Sequence, residues 1–144
     1  MFKLIGCIMI IFSSVFIFRQ KIIESYFTYK FLTYAEDITE KVMYESTINL
    51  SYDKICRKIG FDKESYFKKA ENNRYISRRE YLKVKDFMDN LGKRDSQSEK
   101  QYISYNLKNI KTEKEKYYKS YCENRKVYIL SGTAIGLITV IFLI

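Results

Sequence analysis

The chain of 144 residues has no histidine, no proline and no tryptophan, and only five glycines and three cysteines. Without histidine the commonest metal ligand is missing, as is the side chain best poised for proton transfer near neutral pH. Ser-His-Asp and Cys-His catalysis and histidine-based zinc sites are therefore excluded. Without proline nothing in the chain obliges a helix to break, which permits long uninterrupted rods. The glycines stand at 6, 60, 92, 132 and 136, too scattered for a phosphate-binding loop or a dinucleotide fingerprint. Cys7, Cys56 and Cys122 form no C-x-x-C pair. Three isolated cysteines suit reduced thiols in a cytoplasmic domain, and a Cys56–Cys122 disulfide would require the opposite topology.

Charge is abundant but unevenly placed. There are 26 Lys+Arg against 17 Asp+Glu, a formal net charge of +9. Leu4–Phe18 is uncharged, and so is Val127–Ile144. All 17 acidic residues, and every basic one except Lys3, lie between these two segments. The layout predicts a transmembrane helix over 1–18, a helical domain over 19–126 and a second transmembrane helix over 127–144. Lys3 before an apolar run is also the pattern of a secretory leader. However, Phe16-Ile17-Phe18-Arg19 offers no small-x-small cleavage site, so the segment reads as an uncleaved anchor. Arg19 and Lys21 after the first span, and the lysines and arginines before the second, place the middle domain in the cytoplasm. Gly132 and Gly136 read as residues of a plain lipid-facing anchor or as a helix-pairing face.

The middle domain reads as helices throughout. Ile23, Phe27, Phe31, Tyr34, Ile38 and Val42 recur every three or four residues, one face of a helix continuing from the first span. Ser46–Ser51 reads as a loop with Ser51 as the next N-cap. A short helix over Tyr52–Ile59 ends at Gly60, and Asp62 caps another running to about Ala70. Ser77-Arg78-Arg79-Glu80 and Ser96-Gln97-Ser98-Glu99 have the form of capping boxes. The first opens a helix with Tyr81, Val84, Met88 and Leu91 on one face and Gly92 as its stop. The second opens a seam of Ile103, Leu107, Ile110, Lys114, Tyr117 and Tyr121 that runs without a breaker into Val127. Strand alternation is not sustained anywhere. The expected fold is all-α: a membrane-anchored helical bundle whose long N- and C-terminal helices continue into the spans.

The inventory for chemistry is thin. The only adjacent carboxylates, Glu36-Asp37, read as a solvated helix face, and no nucleophile has a base beside it. No enzyme, cofactor or metal site is expected. Segment 51–126 carries 21 basic and 12 acidic residues, with Arg78, Arg79, Lys83 and Lys85 near Tyr75 and Tyr81. Such a cluster can bind single-stranded nucleic acid, so the alternative is a membrane-tethered basic nucleic-acid-binding module. A basic domain under an anionic leaflet accounts for the same charge, with Lys114, Lys116, Lys119, Arg125 and Lys126 as lipid-facing residues and nucleic acid not expected.

Three local patterns resemble the stage III sporulation protein AB family of endospore-forming bacteria. Leu91-Gly92-Lys93-Arg94-Asp95, followed by Glu99 and Ile103, is similar to a family pattern of Leu-Gly-x-Ser-Asp with a Gln four residues on; Arg94 stands for the Ser and Glu99 for the Gln. Met43-Tyr44-Glu45-Ser46-Thr47-Ile48 is similar to a family segment with Pro where this chain has Ile48. The opening Phe2-Lys3-Leu4-Ile5-Gly6 and the ending around Lys126 and Gly136-Leu137-Ile138 complete a resemblance along the whole chain. The resemblance implies a non-enzymatic platform subunit of the sporulation channel between mother cell and forespore, in the outer forespore membrane. It implies a soluble domain like that of the platform protein of type II secretion and type IV pilus machines. The partners it implies are a cytoplasmic ATPase of the same assembly and other membrane channel subunits. The surface expected to meet a partner is Gly92, Arg94, Asp95, Glu99 and Ile103, a turn that also reads simply as a helix stop followed by a helix cap.

Overall fold

In the computed structural model the described backbone covers residues 2–45 and 52–143; side chains are described for 12, 13, 15–45, 52–138 and 141. Every described element is helical: α1 (Phe2–Glu45), α2 (Tyr52–Lys58), α3 (Lys63–Glu71), α4 (Arg78–Asp89) and α5 (Ser96–Leu143). The Ser46–Ser51 loop, its cap at Ser51 and the Ile48 position lie outside the described residues. The two rods are as long as the missing proline allows, and α5, at 48 residues, extends for about 70 Å.

Among the described residues no helix is long and apolar enough to cross a membrane. Much of the segment 1–18, and several residues of 127–144, lie outside the described side chains. The observed fold is thus the all-α bundle with long terminal helices, without a span in the described part. Among the described residues nothing lies within 4 Å of a Cβ built at Gly132 or Gly136.

α1 and α5 run antiparallel along one another. Ser25 meets Ser120 (Oγ to Oγ 3.2 Å), Tyr29 meets Tyr118, Glu36 meets Lys114, and Lys111 reaches Glu40 at 2.7 Å. This register carries the start of α1 and the end of α5 to the same end of the molecule. The turn before α5 is left at the opposite end. α4 runs in the same sense as α1. Its first turn sits beside Thr28, and its last turns reach the start of α5, where Phe87 packs on Tyr102.

The contact face of α1 is rotated from the expected one. Its buried residues are Ser25, Thr28, Phe31, Leu32, Ala35, Ile38, Thr39 and Val42, whereas Phe27 and Tyr34 are exposed at the edge. Small and hydroxyl-bearing side chains hold the centre because they allow close approach to α5. The Thr39 hydroxyl satisfies itself by donating to the Ala35 carbonyl at 2.6 Å. The displaced aromatics are not idle. Tyr34 packs on Tyr66 and Phe61, and Phe27 stacks on Tyr75, which fastens α3 and the following turn to the flank of α1. The α4 face follows expectation, with Tyr81, Val84, Met88 and Leu91 buried, and so does the α5 seam through Ile103, Leu107 and Ile110.

Helix ends show where local pattern decided and where it did not. Gly60 takes φ 67° as the stop of the α2 turn, and the Asp62 carboxylate accepts the Ser65 amide as N-cap of α3. The capping box at Ser77 does not form. The Ser77 side chain caps nothing, and its amide donates instead to the Thr28 hydroxyl of α1 at 2.9 Å. Glu80, expected to reach back to that amide, is 1 % exposed and binds Arg79 Nε (2.7 Å) and Lys83 Nζ (3.3 Å). A tertiary acceptor displaced the local one.

Candidate partner-binding turn

The turn between α4 and α5 is built by four residues, Gly92, Arg94, Asp95 and Glu99. Gly92 adopts φ 78°, and a Cβ there would meet Tyr52 Cβ of α2 at 3.2 Å. Both the backbone twist and the close approach require glycine. Its amide donates to Glu99 Oε1 at 2.8 Å, across the turn from the first coil of α5. Asp95 is the N-cap of α5: its carboxylate accepts the Ser98 amide at 3.2 Å and its carbonyl accepts the Glu99 amide at 2.8 Å. The cap thus lies one residue before the Ser96 expected from the pattern. Hydrogen bonds from Ser98, its hydroxyl first and then its amide, hold the Asp95 carboxyl below the ordinary aspartate range.

Arg94 covers this turn. Its guanidinium lies 3.5 Å from the centre of the Tyr102 ring, donates to the Asn90 carbonyl at 3.0 Å and stands 3.9 Å from Glu99 Oε2. Beside it Lys93 donates to Asn90 Oδ1 at 3.2 Å. The outward surface is therefore basic and exposed, over an anchored carboxylate. Ile103 is not part of it: at 1 % exposure it is a core residue beneath the turn. Of the expected site residues the structure brings Gly92, Arg94, Asp95 and Glu99 together and sets Ile103 behind them.

The expected lipid-facing residues divide in the same way. Lys114 turns to α1 and pairs with Glu36, whose side chain is only 13 % exposed. Glu36 is thus a largely covered partner rather than a fully solvated one, while Asp37 beside it is half exposed and pairs with Lys41. Lys116 pairs with Glu113 at 3.0 Å, and this bond, against the opposing effect of burial, draws the Glu113 carboxyl below its ordinary range. Lys119 lies 3.9 Å from Glu123, with both side chains largely exposed. Arg125 and Lys126 are exposed.

The basic cluster on α4 is largely engaged within the fold. Arg79 and Lys83 serve Glu80, while Arg78 and Lys85 lie near the Tyr81 ring at 4.8 and 5.7 Å from its centre. Tyr75, the other aromatic of that cluster, is stacked on Phe27. Little of it is open to stack a base.

Clefts flank the bundle. One of about 530 Å³ runs between α4 and α5, with Glu80, Lys83, Asn106, Asn109, Glu113 and Lys116 among its polar lining. Another, about 520 Å³, lies between α1 and α3 and is lined by Phe27, Phe31, Tyr34 and Tyr66 with Lys30 and Lys69. The first was readable in part, since Asn106, Asn109, Glu113 and Lys116 recur at three- and four-residue steps beside the apolar seam. Nothing local announced that Glu80 would face it. Among the described residues no cluster of three or more Cys, Asp or Glu is placed to hold a metal ion.

A family model described as stage III sporulation protein AB matches residues 63–144, more than half of the chain. The chain belongs to the stage III sporulation protein AB family. The match takes in α3, α4, the Gly92–Asp95 turn and all of α5, whereas Phe2–Gly6 and Met43–Ile48 lie outside it. The match thus covers the last 82 residues of the chain. No curated protein and no solved structure matches the chain. The family is one of sporulation stage III and not a known enzyme family. The Leu91-Gly92-x-x-Asp95 run of this chain has a physical meaning: a glycine that the left-handed turn favours, a capping carboxylate, and a side-chain oxygen four residues on that holds the glycine amide. A Gln would supply that last acceptor as well as Glu99 does.

Proposed function

We propose that this family member is a non-enzymatic membrane platform subunit of the sporulation channel between mother cell and forespore. Its uncharged terminal segments anchor it in the outer forespore membrane, and its helical domain docks a cytoplasmic ATPase of the same assembly on the mother-cell side. The observation that carries the reading is the antiparallel pairing of α1 with α5. It gathers the uncharged stretches at one end and the basic Gly92–Arg94 turn at the other. Two paired rods transmit position stiffly from one end to the other, because bending them would break the Glu36–Lys114 and Glu40–Lys111 contacts along their seam. The family match and the absence of any assembled catalytic group in the sequence favour a scaffold over an enzyme.

The test is capture of the ATPase by the full chain reconstituted in lipid nanodiscs. Retention on loaded discs but not on empty ones, weakened by Arg94→Glu, supports the reading. Equal retention on empty discs, or none on loaded ones, overturns it.

A further inference from the structure

The turn between α3 and α4 forms, with the feet of α1 and α5, a basic and aromatic collar at the end where the uncharged segments meet. Tyr75 of this turn stacks on Phe27 of α1 with ring centres 5.9 Å apart, and Tyr26 packs on Tyr121 of α5 at 5.6 Å. Phe27 is eight residues beyond Arg19, so it stands about 12 Å along the helix from the end of the first uncharged stretch. Tyr121 is six residues before Val127, about 9 Å from the second stretch. With a screening length of about 8–10 Å, Tyr121 lies about one such length from a surface that begins where the uncharged stretches end, and Phe27 lies slightly farther out.

The charge at this level is one-sided. Arg74 is exposed, donates to the Tyr75 hydroxyl at 2.6 Å and lies over its ring at 4.8 Å. Lys30 lies over Tyr26, Arg78 over Tyr81, and Arg125 and Lys126 are exposed. Among the described residues none of these five is paired with a carboxylate, in contrast to Lys111, Lys114 and Lys116 farther along the stalk. The nearby acids are fewer: Glu24, Glu71 at the end of α3, and Glu123 beside Lys119. Cations lying on or beside aromatic rings keep their charge and lose little freedom on meeting an anionic headgroup.

We propose that this collar rests on an anionic phospholipid surface, with Arg74 and Tyr75 as its lateral foot. The foot stands off the axis of the α1–α5 pair, so its contact fixes the tilt of the stalk and the facing of the α4–α5 cleft relative to the bilayer. The proposal rests on the membrane anchoring proposed above. It differs from simple attraction of the basic stretch before the second uncharged segment, because it assigns the contact to a turn distant in sequence from either one.

The chain has no tryptophan, so Tyr75→Trp introduces a single indole reporter into the full-length protein. Tyr105→Trp, at an exposed position toward the other end of α5, is the distal control. Each variant is reconstituted into vesicles of phosphatidylcholine, with or without phosphatidylglycerol, containing a lipid whose headgroup carries a quencher. The expected result is quenching of the collar reporter but not of the distal one, only where phosphatidylglycerol is present. Arg74→Glu is expected to reduce the docked-to-undocked ratio roughly fivefold or more, because each basic residue near such a surface favours contact to about that extent. A collar reporter left unquenched in vesicles that still carry the protein through high-salt flotation overturns the collar while the anchor stands. Protein that fails to float overturns both. Equal quenching of the two reporters shows the domain lying flat and overturns the lateral foot.

Discussion

Replacing Gly92 by alanine tests the geometry of the α4–α5 turn against an internal control. At φ 78° an alanine pays for the left-handed backbone, about 1–2 kcal/mol. Gly60, at φ 67°, imposes the same backbone cost, but a Cβ there meets nothing within 4 Å, whereas one at Gly92 meets Tyr52 Cβ at 3.2 Å. Tyr52 Cβ is fixed to the α2 backbone and can yield only if α2 shifts, which adds about 1 kcal/mol. Gly60→Ala should therefore cost about 1–2 kcal/mol and Gly92→Ala about 2–3 kcal/mol. At about 3 °C per kcal/mol the midpoints should fall by about 3–6 °C and about 6–9 °C respectively. Thermal unfolding of the full chain in detergent, followed by helical circular dichroism, reads both. Equal losses would refute the Tyr52 contact, and no loss at either position would refute the left-handed turns altogether. Glu99→Gln should be nearly silent in the same assay, since it keeps an acceptor for the Gly92 amide, while Glu99→Ala should cost about 1 kcal/mol.

Other outcomes follow from the stalk and the core. Lys114→Met should destabilise by about 1–2 kcal/mol, because it strands Glu36 between the helices, and adding Glu36→Leu should recover most of that loss in a double-mutant cycle. Thr28→Val keeps the shape of a fully buried side chain but removes the acceptor of the Ser77 amide; a loss of about 1–2 kcal/mol and faster hydrogen exchange at Ser77 are expected. Burial raises the phenols of Tyr52 and Tyr66 above the ordinary tyrosine value. For a group with a raised folded pKa the stabilisation is complete below the unfolded value, about 10, and is lost as pH rises beyond it. Alkaline unfolding should therefore set in above about pH 10 and be blunted by Tyr52→Phe. Glu113 has the opposite sign: its depressed carboxyl contributes above the ordinary glutamate range and loses that contribution as the solution is acidified. Glu113→Gln should accordingly flatten the acid limb of the stability profile.

The helix stops and starts were legible because they are local. Gly60, Asp62 and Asp95 act within four residues of themselves, Gly92 twists the backbone at its own position, and each does in the fold what its residue type suggests. The contact face of α1 was legible only approximately. Phe27 and Tyr34 carry the larger hydrophobic signal, but Ser25, Thr28, Ala35 and Thr39 allow the close helix contact, and small residues contribute little to an apolar periodicity. Glu80 shows the limit of a local motif: Ser-x-x-Glu spacing was present, yet a hydroxyl far away in sequence took the amide. Lys114 could be seen interrupting an apolar seam. Its partner Glu36 could not be named, since that required the register between two helices at opposite ends of the chain. Within the candidate site the turn residues were readable and Ile103 was misplaced, because one step along an α-helix separates an exposed face from a buried one.

The central claim is that this chain holds an ATPase at a membrane. It is tested most directly by fractionating sporulating cells with and without the chain and following the ATPase. The account predicts that the ATPase sediments with membranes when the chain is present, shifts to the soluble fraction when it is deleted, and stays soluble when Arg94→Glu replaces the native protein. An ATPase that remains on the membrane in the deletion strain would contradict it.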